Sequence, residues 1–313
     1  MTSKAKRIII IAAVLAVFIV AIVFIVGAMM NATANIYRHE ASTSVTDDYG
    51  RTVAVPTHPT RVVSLSPAVT EIMFALGAQD LLVGRTDFCT YPPEAAQIPS
   101  IGGISNLNIE HILSLNPDLV ISGSMVGKQL TDQMDKMGTP MVCVIEKPRF
   151  DAVYGNITAI GNLVGKAHEA DSLNALLREQ VDALVDSNHA VTQSHNQAIT
   201  PKVYYVVGFG AGGNFTAGGN TFINDIIRMA GGRNIAEGIE GWNYSLEALM
   251  QEDPDYIIVR REDSAAFCSM KPYTTLRAVR QGHVIGIESG TLDLQVPRNI
   301  EAILYLRKRM NNH

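Results

Sequence analysis

From Arg61 onward the chain keeps returning to one short unit: four or five apolar residues, a polar turn, then a helix-period stretch. The apolar runs are Arg61–Leu65, Leu81–Gly84, Asp118–Ile121 and Met141–Ile145, and later Val203–Val207, Tyr256–Val259 and Val284–Ile287. Between them the spacing predicts helices at Ala68–Leu76, Ile109–Leu115, Lys128–Met137, Phe222–Ala230, Ser245–Gln251 and Arg298–Met310. Strands apolar on both faces, separated by helices, specify parallel sheets covered on both sides. Ser66 is placed to cap the first helix, with Pro67 in its first turn and Gly77 ending it.

The alternation stops once. From Phe150 to Gln193 no strand signal exists, and two helices are expected, Asp151–Val164 and Ala167–Ser187. The division that follows is residues 60–146 as one α/β lobe, 147–200 as a helical span and 201–313 as a second α/β lobe. Residues 35–59 form a polar tether and an opening strand at Thr52–Val55, and 1–34 stand apart.

That first segment holds an uncharged run, Ile8–Met30, behind Lys4, Lys6 and Arg7. About 20 apolar residues span a bilayer, and flanking cations stay in the cytoplasm. The expectation is a single-pass N-terminal transmembrane helix through residues 8–30, with the body outside the cell membrane. A cleaved signal peptide is the alternative, since Ala32-Thr33-Ala34 offers a small-residue site. Without the three leading cations the rest carries 22 Lys+Arg against 30 Asp+Glu, a net −8. Such a surface has no basic excess for phosphates, so nucleic-acid binding is excluded.

No residue set demands an enzyme. Gly208-Phe209-Gly210-Ala211-Gly212-Gly213 fits G-x-G-x-x-G after a strand, but more loop follows where a dinucleotide site needs a helix. The reading is a flexible glycine loop lining a cleft, with a nucleotide-binding enzyme as the rival. Cys89, Cys143 and Cys268 are too scattered for a zinc motif, and neither metal nor cofactor is expected. Cys143 reads as a buried strand residue; a bridge between Cys89 and Cys268 is an alternative. Aromatic side chains are scarce, yet Phe88, Tyr91, Phe209, Phe215, Trp242 and Tyr244 all fall in loops or at strand ends. Rings on facing loops make a wall for a large, partly apolar ligand.

Several segments together resemble the class III solute-binding proteins of ABC importers. They are Asp47-Asp48-Tyr49-Gly50-Arg51-Thr52-Val53, Arg61 to Pro67 with Thr70-Glu71, and the matched pair Asn116-Pro117-Asp118 and Asp253-Pro254-Asp255. Gly231-Gly232-Arg233-Asn234-Ile235 and Val296-Pro297-Arg298 extend the likeness over about residues 46–310. Val83-Gly84 with Tyr91-Pro92-Pro93-Glu94-Ala95 is similar to the cobalamin-binding branch, though Ile104 and Gly123 stand near places where that branch carries tryptophan. The resemblance implies two Rossmann-like lobes joined by a long spanning helix, and a monomer. It implies capture of a cobalamin, another corrinoid or an iron chelate, and delivery to a permease with its ATPase subunits. It also implies that Glu110 and Glu247, one per lobe, dock on permease arginines. A ligand-sensing ectodomain without an importer is the rival reading.

Overall fold

The computed structural model describes residues 42–104, 107–124, 126–194 and 200–311, with a few positions between 19 and 26. The expected membrane helix, 8–30, and Ala34 lie largely outside the described residues. Among the described residues no helix is long and apolar enough to cross a membrane.

The chain opens with an antiparallel hairpin, β1 (Ser42–Thr46) and β2 (Thr52–Pro56). Part of the segment read as a tether is therefore strand. Ser-Thr-Ser-Val-Thr carries a single apolar side chain, so its pattern does not separate an edge strand from a polar linker.

The first lobe comprises β3 (Val62–Ser64), α1 (Pro67–Ala75), β4 (Leu82–Arg85), α2 (Ile109–Ser114), β5 (Leu119–Ser122), α3 (Lys128–Lys136) and β6 (Met141–Cys143). Then come α4 (Ala152–Leu163) and α5 (Ala167–Ser194). The second lobe comprises β7 (Lys202–Tyr205), α6 (Phe222–Met229), β8 (Arg233–Asn234), α7 (Leu246–Glu252) and β9 (Tyr256–Arg260). It closes with α8 (Ser264–Ser269), α9 (Arg277–Gln281), β10 (Val284–Ile287) and α10 (Asn299–Asn311).

Both sheets are wholly parallel and share one topology. Their orders are β4-β3-β5-β6 and β8-β7-β9-β10. The equivalence reaches single residues. Asn116 (φ 46°) and Asp253 (φ 41°) both take the left-handed conformation just before Pro117 and Pro254. The next residues, Asp118 and Asp255, accept backbone N–H groups from the start of the neighbouring strand, Arg61 and Lys202. Those two cations in turn bond the C-terminal carbonyls of α2 and α7.

Alternate residues of a strand face opposite sides. Val203, Tyr205 and Ile258 face one core, which runs through α4 and α5 to Val62, Leu119 and Ile121 of the first sheet. Tyr204, Val206, Ile257 and Val259 face another, closed by Leu249, Phe267 and Tyr273. Val63, Val120 and Met141 do the same on the first sheet with Ile112 and Met134.

The span is two helices rather than one. α4 packs on α1 of the first lobe, α5 on α6 and α10 of the second, and each packs on the other. Gly161 permits that approach: a Cβ there would lie 2.5 Å from the Ala170 methyl and 3.0 Å from the Lys166 carbonyl. The Ser66 hydroxyl makes no capping bond to α1; its backbone carbonyl accepts from Ser64 Oγ and from the Thr70 N–H instead.

Candidate functional site: the carboxyl edges of the two sheets

In a parallel sheet every strand delivers its C-terminus to one edge, and the crevice there is where ligands bind. Two loops of this chain are long at that edge. The one after β4 carries Phe88 and Tyr91, and the one after β7 carries Phe209 and Phe215. Trp242 and Tyr244 follow β8. All six rings therefore belong to carboxyl-edge loops, two on the first lobe and four on the second.

Their orientations separate them. Phe88, Trp242 and Tyr91 are 58%, 45% and 39% exposed. Phe215 is half-buried and lies against Gly208 and Gly213, pinned by bridges to Gly208 and Asn243. Phe209 instead turns inward, edge-on to Phe267 at 5.2 Å and to Tyr273 at 5.9 Å. Tyr244 tilts against Tyr204 at 5.8 Å and donates its hydroxyl to the Ile235 carbonyl at 3.3 Å. Those two rings pack against the core of the second lobe.

The glycine loop is clamped, against the expectation of flexibility. Gly210 (φ 88°) opens a single 3-10 turn, Gly210–Gly212, and Gly213 (φ 106°) closes it. The buried Tyr273 hydroxyl accepts from the Gly210 N–H at 3.0 Å and donates to Asn214 Oδ1 at 2.7 Å. No helix N-terminus follows Gly213; α6 begins only at Phe222, capped by Thr221. A phosphate on this loop would lack the helix end that dinucleotide folds supply.

Tyr91 ties the rim to the floor between the lobes. The Arg298 guanidinium lies 4.2 Å from the centroid of its ring, and Arg298 Nε donates to Glu71 Oε1 at 2.7 Å. Glu71 belongs to α1 of the first lobe, while Arg298 just precedes α10 of the second. Their side chains are 5% and 11% exposed, and Glu71 Oε2 has no hydrogen-bond partner. Burial pushes the Glu71 carboxyl up to about 7, with the Arg298 charge opposing the rise. Gln295 adds a second tie: Nε2 donates to the Lys147 and Arg149 carbonyls, and Oε1 accepts from Lys147 N–H.

Glu110 and Glu247 occupy equivalent places. Each is the second residue of its helix, behind an N-cap, Asn108 or Ser245, whose side chain accepts the His111 or Ala248 N–H. Both are exposed and outside the ion pairs of the described residues. The cysteines are all free, so Cys89 and Cys268 form no bridge. Cys89 is buried against Thr86 Oγ1 in the first lobe, whereas Cys268 sits on α8 of the second. Cys143 is buried in β6 and receives the Ser122 hydroxyl. No group able to hold a metal ion exists among the described residues. A concavity of about 1130 Å³ lies at the opposite end of the first lobe, between β2 and the starts of the strands, lined by Arg61, Asp118 and Pro140.

A profile described as "Periplasmic binding protein" matches residues 62–291, which takes in both sheets and the helices between them. The chain belongs to this periplasmic binding protein family. A cobalamin-binding protein of Halobacterium salinarum is 30% identical over 273 residues, covering 83% of this chain and 72% of the relative. An ABC transporter substrate-binding lipoprotein of Bacillus subtilis, YvrC, is 26% identical over 271 residues, 83% of this chain and 82% of its own. Among solved structures, the periplasmic heme-binding protein RhuT of Roseiflexus sp. RS-1 matches with a TM-score of 0.71 and 28% identity, over 80% of this chain and 98% of its own. The chain is thus a substrate-binding protein of the ABC-import type, similar to proteins that bind cobalamin and heme. Relatives of this kind are transport components rather than enzymes, and they work with a permease and its ATPase.

Two features escaped the sequence reading. Tyr273 lies 63 residues from the glycine it holds, and nothing local marks it. Glu71 and Arg298 both sit in segments that carry the family likeness, but their pairing spans 227 residues.

Proposed function

We propose that this protein captures one metal chelate, a cobalamin, another corrinoid or an iron chelate, between its lobes and delivers it to a permease. The observation that carries the reading is the set of rings on the carboxyl edges of both sheets, exposed Phe88 and Tyr91 on one and exposed Trp242 with half-buried Phe215 on the other. A flat or globular chelate offers a large apolar surface, and rings contribute large contact area with few rotamers to freeze. The ties at Glu71–Arg298 and Gln295 restrain the lobes, so closure over the ligand is small. Residues 8–30 hold the protein at the outer face of the cell membrane, and it acts as a monomer.

Glu110 and Glu247 dock the two lobes on permease arginines. Each projects from the first turn of a short helix, where an arginine fork can take a carboxylate with two hydrogen bonds. Uptake of radiolabelled ligand by cells carrying Glu110→Lys and Glu247→Lys together tests the assignment. Uptake is lost while ligand affinity of the purified variant is unchanged; retained uptake refutes docking through these residues.

A further inference from the structure

In the carboxyl-edge loops the charge left outside ion pairs is mainly acidic. Four of the cations they hold already stand in ion pairs: Lys147 with Asp48 at 3.1 Å, Arg149 with Asp225 at 3.4 Å, Arg261 with Glu288 at 3.4 Å, and Arg298 with Glu71 at 2.7 Å. Arg85 and Arg260, the last residues of β4 and β9, are engaged as well, with backbone carbonyls and with Asp293. In the same loops Asp87, Glu94, Glu146, Glu240, Glu262 and Asp263 have no ion-pair partner among the described residues, and all are exposed or half-buried. The exposed lysines on this side, Lys128 at the start of α3 and Lys271 beyond α8, are outnumbered by them. The stretch 206–221, which holds the glycine loop and Phe215, contains no charged residue at all.

A chelate rimmed with carboxylates or catecholates needs guanidinium forks or ammonium groups to meet its charge. Here the arginines that could serve are already bonded to carboxylates or backbone carbonyls, so an anionic ligand would have to displace an existing partner. Opposed like charges in a cleft lower affinity and slow encounter. A ligand with a neutral or cationic rim meets none of this and still gains the ring surfaces. We infer that the cleft selects metal chelates whose periphery is neutral or cationic, of amide or hydroxamate type, and discriminates against anionic ones such as heme with its two propionates. This rests on the capture reading above and narrows its ligand class.

The test uses pairs matched in shape and metal. Dicyanocobinamide and dicyanocobyrinic acid share ring and cobalt but differ in amide against carboxylate side chains; ferrioxamine and a ferric tricatecholate pair the siderophore classes; heme is the fifth probe. Calorimetric titration of the full chain, at low salt, is expected to show the neutral or cationic member of whichever pair binds to be at least about tenfold tighter. The gap narrows as salt shortens the screening length from ~10 Å at 0.1 M to ~3 Å at 1 M. The double variant Glu94→Gln with Glu240→Gln narrows it at low salt too. Equal affinity within a pair, a preference for the anionic member, or heme binding tightest overturns the charge selection while leaving capture intact. Failure of all five probes to bind contradicts the capture reading, and the selectivity falls with it.

Discussion

Replacing Arg298 by Met removes the cation that joins the lobes while keeping most of the stem. Three interactions vanish: the bond to Glu71, the bond to Thr291 Oγ1 at 3.0 Å, and the stack on Tyr91. What remains is a buried carboxyl whose second oxygen already lacked a partner. The loss depends on whether that carboxyl is charged. In the parent protein it titrates near 7, above the ~4.3 of an unfolded chain. Without Arg298 the only strong opposing charge is gone, so the variant's carboxyl titrates higher still. Below about pH 7 both proteins hold a neutral Glu71, and the variant loses hydrogen bonds and stacking alone, about 2 kcal/mol. Above it the parent ionises while the variant must keep its proton or bury a lone charge. The destabilisation then grows by up to ~1.4 kcal/mol per pH unit, reaching about 3 kcal/mol at pH 8. For the parent itself the sign is the same: the folded state binds the extra proton, so Glu71's contribution is full below the unfolded value and fades as pH rises towards 7. Urea unfolding of both proteins at pH 6 and pH 8, followed by circular dichroism, reads the difference. An equal loss at the two pH values, or a larger one at pH 6, would refute the buried-carboxyl account.

Tyr273→Phe removes the hydroxyl that holds the glycine loop, leaving the Gly210 N–H and Asn214 without it. It is expected to lower stability by about 1–2 kcal/mol and to weaken ligand affinity several-fold, read by thermal unfolding and by titration; unchanged affinity would detach the loop from the binding wall. Gly161→Ala opposes two effects. Helix propensity gains about 1 kcal/mol, but the methyl meets Ala170 and the Lys166 carbonyl where α4 and α5 touch, at about 1–3 kcal/mol. Backbone on one side of the contact cannot rotate away, so net destabilisation is expected in urea unfolding; a stabilised variant contradicts the close approach.

What the chain discloses about itself depends on range. Strands such as β5 and β9 announce themselves because both of their faces are covered, so nearly every residue is apolar. Asn108, Thr221 and Ser245 mark helix starts through bonds made within three residues. Short elements without such a mark do not: β8 has two residues, and α8 and α9, of six and five, have no side-chain cap, whereas α2, also of six, is announced by Asn108. Rings in loops are ambiguous in the same way. Phe209 and Phe215 share one glycine-rich segment, yet one faces the core of the second lobe and the other lies along the loop. Only the packing of α8 and Tyr273 beneath that loop decides between them, and those residues follow some 50 positions later.

The central claim is that a chelate sits between the two carboxyl edges, in contact with rings from both. Trp242 is the single tryptophan, so its fluorescence during titration of the full chain with cobinamide, heme and ferric trihydroxamate reports directly on the second-lobe wall. The account predicts saturable quenching by one ligand at a one-to-one ratio and sub-micromolar concentration, weakened by Phe88→Ala on the opposite lobe. Tight binding that leaves Trp242 emission unchanged, or that ignores the loss of Phe88, would contradict it.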